Sequence, residues 1–206
     1  MNFTAGEITL LVASYALGCC CAGYYLVRFR SGRDIREHGS GSAGATNVAR
    51  ELGVAGFALT FLVDLAKGAL AVWSATYFGL EPDKAVLAML AVVAGHIWPA
   101  QLRFHGGKGI ATAIGAILVF DYRLALGVFL LSGLLFALSR RLALAGLAAV
   151  AVSPVVMAVL GRTRGAIAGT TALAAMILIA HRTNIRRTLG EMRSRTRPKR
   201  GQTPGL

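Results

Sequence analysis

The chain has 206 residues, of which 55% are hydrophobic and only 15% charged, with a formal net charge of +13 and a mean hydropathy of +0.61. A disordered chain needs low hydrophobicity, a secreted disulfide scaffold needs spaced cysteines rather than one run of three, and a soluble domain carries about 25% charged residues. What remains is a basic, all-α integral membrane protein whose excess of positive charge needs a cause.

Seven apolar segments are predicted as helices, at 8–27, 53–77, 85–102, 109–120, 124–138, 143–160 and 165–181. A span needs about 20 mostly apolar residues. The fourth is too short to cross straight by itself, and only Asp121, Tyr122 and Arg123 part it from the fifth, so five or six spans are also conceivable; seven fits best. No Lys or Arg precedes the first segment, and Arg28 follows it directly. That is the reverse of a signal peptide and predicts a retained helix with its N-terminus outside. With seven spans, the inner stretches 28–52, 103–108, 139–142 and 182–206 hold 17 of the 22 Lys and Arg, as cytoplasmic loops should. Arg162 and Arg164 run against this rule. Residues 1–192 are expected to form one transmembrane domain, and 193–206 a basic tail beside anionic headgroups. Cys19, Cys20 and Cys21 are expected mid-helix, pointing apart and packing; no metal or cofactor is expected.

Four polar features stand out from the apolar background. The first is Gly39-Ser40-Gly41-Ser42-Ala43-Gly44-Ala45-Thr46-Asn47-Val48-Ala49-Arg50. It reads either as a flexible connector or as an anion loop that offers backbone N–H groups, hydroxyls and a guanidinium. The second runs from Gly95-His96 to Gly106-Gly107-Lys108-Gly109. It reads as a tight turn with a surface lysine, or as a phosphate cradle opening a helix. It is not a Walker A motif, which has a different spacing after a strand. The third is Asp64 with Lys67, three apart on one face inside the second apolar segment. Such groups are either a structural ion pair or face a watery site. The fourth is His181 with Asn184, one turn apart at the inner end of the last segment. His181 can act as a base or bond a hydroxyl. Arg186 and Arg187 are read as boundary arginines that set orientation.

Three stretches, GSGSAGATNVAR (39–50), GHIWPAQLRFHGGKGIAT (95–112) and HRTNIRRTLGE (181–191), resemble the PlsY family of bacterial acyl-phosphate:glycerol-3-phosphate acyltransferases. DLAKG (64–68) and YALG (15–18) add to the match, which spans about residues 15–191. Ser42 stands where the family usually has Asn, His105 where Lys is common, Cys19 for Ser and Cys21 for Pro. The resemblance implies an inner-membrane enzyme with a cytoplasmic active site that makes 1-acyl-glycerol 3-phosphate. On this reading Ser40, Arg50, Lys108, His181 and Asn184 are catalytic. Gly39, Gly41, Thr46, Asn47, Asp64, Lys67, His96, Gly106, Gly107 and Gly109 bind substrate. The expected partners are acyl phosphate, glycerol 3-phosphate and membrane lipid.

Another class of glycerolipid acyltransferases uses an H-x-x-x-x-D motif. Here the residues five after each histidine are Ala43, Gln101, Ile110 and Arg186, so that chemistry is absent. An organophosphate transporter would place its polar residues near the bilayer midplane and show pseudo-repeats. A nucleic-acid binder would interleave aromatics with its basic tail. The sequence shows neither pattern.

Overall fold

A computed structural model describes residues 2–196. Among the described residues the chain is helical, with no strand. Helix α1 (Ala5–Cys19) opens on a capping box, in which Thr4 Oγ1 accepts from the Glu7 N–H and the Glu7 carboxylate accepts from the Thr4 N–H. The helix stops at Cys19, and α2 (Ala22–Ser31) resumes the same apolar run. The three cysteines therefore lie at a helix break rather than in mid-helix, with Cys19 and Cys21 buried and Cys20 exposed.

Helix α3 (Ala45–Tyr77) is interrupted at Gly53, which takes φ +66. Its short polar start thus separates from the apolar stretch predicted over 53–77. Helix α4 (Pro82–Ile97) begins with proline at its first turn, where the missing N–H costs nothing. A 3-10 turn (Ala100–Leu102) and a glycine-rich loop lead to α5 (Ile110–Phe120). Asp121 alone divides α5 from α6 (Tyr122–Ser139), and its carboxylate caps α6 by accepting from the Arg123 and Leu124 N–H groups. Then come α7 (Leu142–Val159), α8 (Arg164–Ala180) and α9 (Arg182–Thr196), with a bend of 61° between α8 and α9 at His181. The expected boundary at 192 falls inside α9, and the basic tail beyond 196 lies outside the described residues.

By length and composition five helices or helix runs can cross a membrane, and a sixth if bent α8–α9 counts as one span. Helix α5, with 11 residues, rises only about 16 Å against a core of about 30 Å. It lies close against α3 and exposes Ile114 and Leu118 on its other side. Gly68 meets the Thr112 carbonyl and Gly115 meets the Leu65 carbonyl, so a side chain at either would strike backbone. Gly18 and Gly95 bring α1 and α4 together in the same way. Met89, Val92, Val93, Leu124, Leu173 and Ile177 fill the core. By contrast, α6 exposes Phe129, Leu130, Leu134 and Leu138, a surface that suits lipid rather than water.

Candidate active site

The loop before α3 is built around one amide. Asn47 is 2% exposed, and the two protons of its Nδ2 are shared among the carbonyls of Ile35 (3.0 Å), His38 (2.9 Å) and Ser42 (3.0 Å). Its Oδ1 accepts from the Ser40 N–H (2.9 Å) and from Arg50 Nη1 (3.1 Å). Gly39 holds φ +59, and a Cβ there would collide with Asn47 Oδ1. Asn47 therefore spends its polar atoms on shaping the loop and aiming Arg50, whereas the sequence suggested substrate contact. Buried Ser42 serves the same loop, accepting from the Gly44 N–H at 3.3 Å. Ser40, Gly41, Thr46 and Arg50 remain on its exposed side.

The second glycine loop is fastened to the first. The Ala43 N–H donates to the Gly106 carbonyl at 3.1 Å, and Arg36 Nη1 donates to the carbonyls of Leu102 (2.7 Å) and His105 (3.3 Å). Arg36 is itself held by Asp34 at 2.6 Å and lies over the Tyr24 ring. Its sequence context gave no sign of this clamp. The loop's amides differ from expectation. Gly106 N–H donates to the Ile97 carbonyl (3.1 Å) and Gly107 N–H to the His96 carbonyl (3.0 Å). These two glycines let the chain lie against the end of α4; they do not turn their N–H groups to an anion. Gly109, at φ +83, then caps α5 and leaves Lys108 between the two turns.

Lys108 is half-buried and has no carboxylate partner among the described residues. Burial first, then the charges of Arg187 and Arg50, hold its ammonium below the usual lysine range. So the second motif lies within electrostatic reach of the first through Arg50 and of the fourth through Arg187. Sequence reasoning left Arg187 as an orienting charge, although its place three residues after Asn184 puts both on one helix face. The charge of Lys108 also reaches His181. His181 is 8% exposed, and its Nδ1 lies 2.9 Å from the Ile177 carbonyl, which can only accept. Nδ1 must therefore carry the proton, and in the neutral ring Nε2 is a free acceptor. Half-buried Asn184 stands one turn further on. Clustered cations beside a fixed imidazole can hold phosphates and take a proton from a hydroxyl.

Asp64, Lys67 and His96 are brought together elsewhere. Their exposures are 1%, 4% and 2%, Lys67 Nζ lies 2.8 Å from both Asp64 Oδ1 and His96 Nδ1, and it also donates to the Gly18 and Cys20 carbonyls. The geometry closes them off within the bundle, so the expectation of substrate contact gives way to the ion-pair reading.

Comparison with known proteins fits this arrangement. Residues 8–191 match the family model for glycerol-3-phosphate acyltransferase. Glycerol-3-phosphate acyltransferase 1 of Desulfitobacterium hafniense is 44% identical over 194 residues, 93% of this chain and 95% of that one. The crystal structure of PlsY, an integral membrane glycerol 3-phosphate acyltransferase, in its glycerol 3-phosphate form superposes with a TM-score of 0.83 at 32% identity, over 91% of this chain and 94% of that one. Its lysophosphatidic acid form gives 0.79 at 30% identity, over 91% and 93%. With its glycine loops, its convergent cations and this likeness along nearly the whole chain, the protein belongs to the PlsY family of integral membrane glycerol-3-phosphate acyltransferases.

Proposed function

We propose that the protein transfers an acyl group from acyl phosphate to the 1-hydroxyl of glycerol 3-phosphate. The products are 1-acyl-glycerol 3-phosphate and inorganic phosphate, in the first step of phospholipid synthesis. The observation that carries this reading is that Lys108 lies within electrostatic reach of Arg50 and His181 with no carboxylate partner among the described residues, while the His181 Nδ1 contact leaves its Nε2 as an acceptor. The solved relative's glycerol 3-phosphate form supports the acceptor.

Acyl phosphate is a mixed anhydride, so the donor arrives activated and no enzyme nucleophile is required. The glycerol hydroxyl oxygen attacks the acyl carbonyl carbon, the bond from that carbon to the phosphate oxygen breaks, and phosphate leaves with the electron pair. Arg50 and Lys108, helped by Ser40 and Thr46, bind phosphate oxygens. His181 and Asn184 position glycerol 3-phosphate, with the hydroxyl donating to His181 Nε2. The hydroxyl proton ends on that nitrogen or on a phosphate oxygen, two routes that a pH profile of His181 variants separates. Positioning of this kind lowers barriers by up to about 7–11 kcal/mol, and donors aimed at developing charge add about 3 kcal/mol each.

In the membrane the protein makes seven crossings, α1–α2 being one and α5 a short one, with the N-terminus outside and the site on the cytoplasmic face of the inner membrane. The lysine and arginine distribution supports this orientation. The donor assignment is tested with detergent-purified protein and glycerol 3-phosphate, offering palmitoyl phosphate or palmitoyl-CoA. Lysophosphatidic acid is expected from the first alone; product from the CoA ester only would refute the donor.

A further inference from the structure

Helix α1 stops inside an apolar bundle, and its last carbonyls lose their intrahelical donors. Side chains from other elements take them up. Lys67 Nζ, from the middle of α3, donates to the Gly18 carbonyl (3.0 Å) and the Cys20 carbonyl (2.9 Å). Gln101 Nε2 donates to the Cys19 carbonyl at 2.6 Å. Two ammonium protons are thus committed. The third serves His96 Nδ1 at 2.8 Å, while Asp64 Oδ1, also 2.8 Å from Nζ and 3.4 Å from Nδ1, faces the ammonium as an ion pair. An ammonium has three protons, and all are claimed. Buried charges persist only when matched in this way.

This fixes one edge of the His96 ring. Its other edge bears on the loop that carries Lys108: Nε2 occupies the space where a Cβ on Gly107 would be. The His96 carbonyl also accepts from the Gly107 N–H at 3.0 Å and from Cys21 Sγ at 3.6 Å. Mechanical contact therefore runs from the Asp64–Lys67 pair through the imidazole to Gly107, whose next neighbour is Lys108. A simple ion pair clipping α1 to α3 would need no ring packed onto a catalytic loop.

We propose that His96, clamped by Asp64 and Lys67, is a positioning residue that sets the 106–109 turn and through it the placement of Lys108. This inference rests on Lys108 being a phosphate ligand. It gives the buried pair a role in substrate affinity that neither side chain exerts by contact, and it makes the α1–α2 break part of the same device.

The test is calorimetric titration of the detergent-purified full chain with glycerol 3-phosphate and, separately, inorganic phosphate. His96→Ala and Lys67→Met are each expected to bind both about tenfold more weakly, the scale of one misplaced charge-assisted hydrogen bond. His96→Asn keeps a polar group near Lys67 but loses the far ring edge, and is expected to weaken binding likewise; it carries the comparison if His96→Ala does not fold. The deciding result is the double variant. Added to Lys108→Ala, His96→Ala should cause no further loss, because it acts through the missing lysine. Wild-type affinity in folded His96 or Lys67 variants, or losses that multiply in the double variant, would overturn the proposal. Wild-type protein that bound phosphate but not glycerol 3-phosphate would instead refute the acceptor assignment, and the phosphate titrations would still decide the role of His96.

Discussion

The two ends of the helix bundle spend their charges differently. At the end where α4 and α8 begin, acidic groups are matched across elements: Glu7 meets Lys84 at 2.5 Å, Asp121 meets Arg162 at 2.6 Å, and Asp83 accepts from Thr163. At the opposite end Arg50 and Lys108 act on one another with no carboxylate between them among the described residues, and Arg187 adds a further charge. Carboxylates are not lacking there. Asp34 is committed to Arg36, and Glu51 stands 3.9 Å from Arg33. The matched end behaves as a fastening. Gathering like charges at the other end costs stability, the usual mark of a site shaped for function.

Removing a cation from the gathered end should have the largest effect. Lys108→Ala and Arg50→Ala are each expected to lower kcat/KM by about 10²–10³, read from lysophosphatidic acid formation, with thermal melting unchanged or raised. A large loss of Tm would instead show that these charges hold the fold. His181→Ala should follow: a kcat reduced about a hundredfold assigns proton handling to Nε2, and a loss confined to KM assigns it to the phosphate oxygen. Asn184→Ala should mainly raise KM for glycerol 3-phosphate, by about tenfold for one lost hydrogen bond; a change confined to acyl-phosphate dependence would reverse the assignment of the two substrates.

The pH response sharpens the same contrast. Lys108 loses its proton at lower pH in the folded protein than in the unfolded chain. Its contribution to folding stability therefore improves as pH climbs from the folded value toward the unfolded one. Phosphate affinity needs the ammonium, so it falls over that same climb. KM for glycerol 3-phosphate should accordingly rise on the alkaline side before an ordinary lysine would titrate. Lys108→Arg, which keeps its charge, should flatten that limb. The smallest effect on turnover belongs to the matched end. Asp121→Ala removes the α6 cap and the Arg162 partner, and should cost about 1–2 kcal/mol of stability while kcat stays within about twofold of wild type.

Much of this was legible in the sequence because apolar length and glycine-flanked polar residues carry their own physics. The start of the apolar part of α3 at Gly53 and the Asp121 division between α5 and α6 both follow from local composition. Other features needed the third dimension. A glycine is written the same way whether it opens its N–H to an anion or lets backbone approach a ring, so the choice between the cradle and the tight turn at Gly106 and Gly107 needed the fold. Asn47 looked like a ligand because its three carbonyl acceptors are scattered over the preceding loop. Asp64 and Lys67 declared themselves by spacing, whereas His96, 29 residues beyond Lys67 on another helix, did not. The cysteines hid a helix break, since cysteine has no strong preference against helix interiors.

The most direct measurement is a side-by-side assay of wild type, Lys108→Ala and Asp121→Ala with palmitoyl phosphate and glycerol 3-phosphate, each variant's melting recorded in the same detergent. The account predicts that Lys108→Ala melts like wild type but makes almost no lysophosphatidic acid, while Asp121→Ala melts earlier and turns over normally. Normal turnover in Lys108→Ala, or lost turnover in a folded Asp121→Ala, would contradict it.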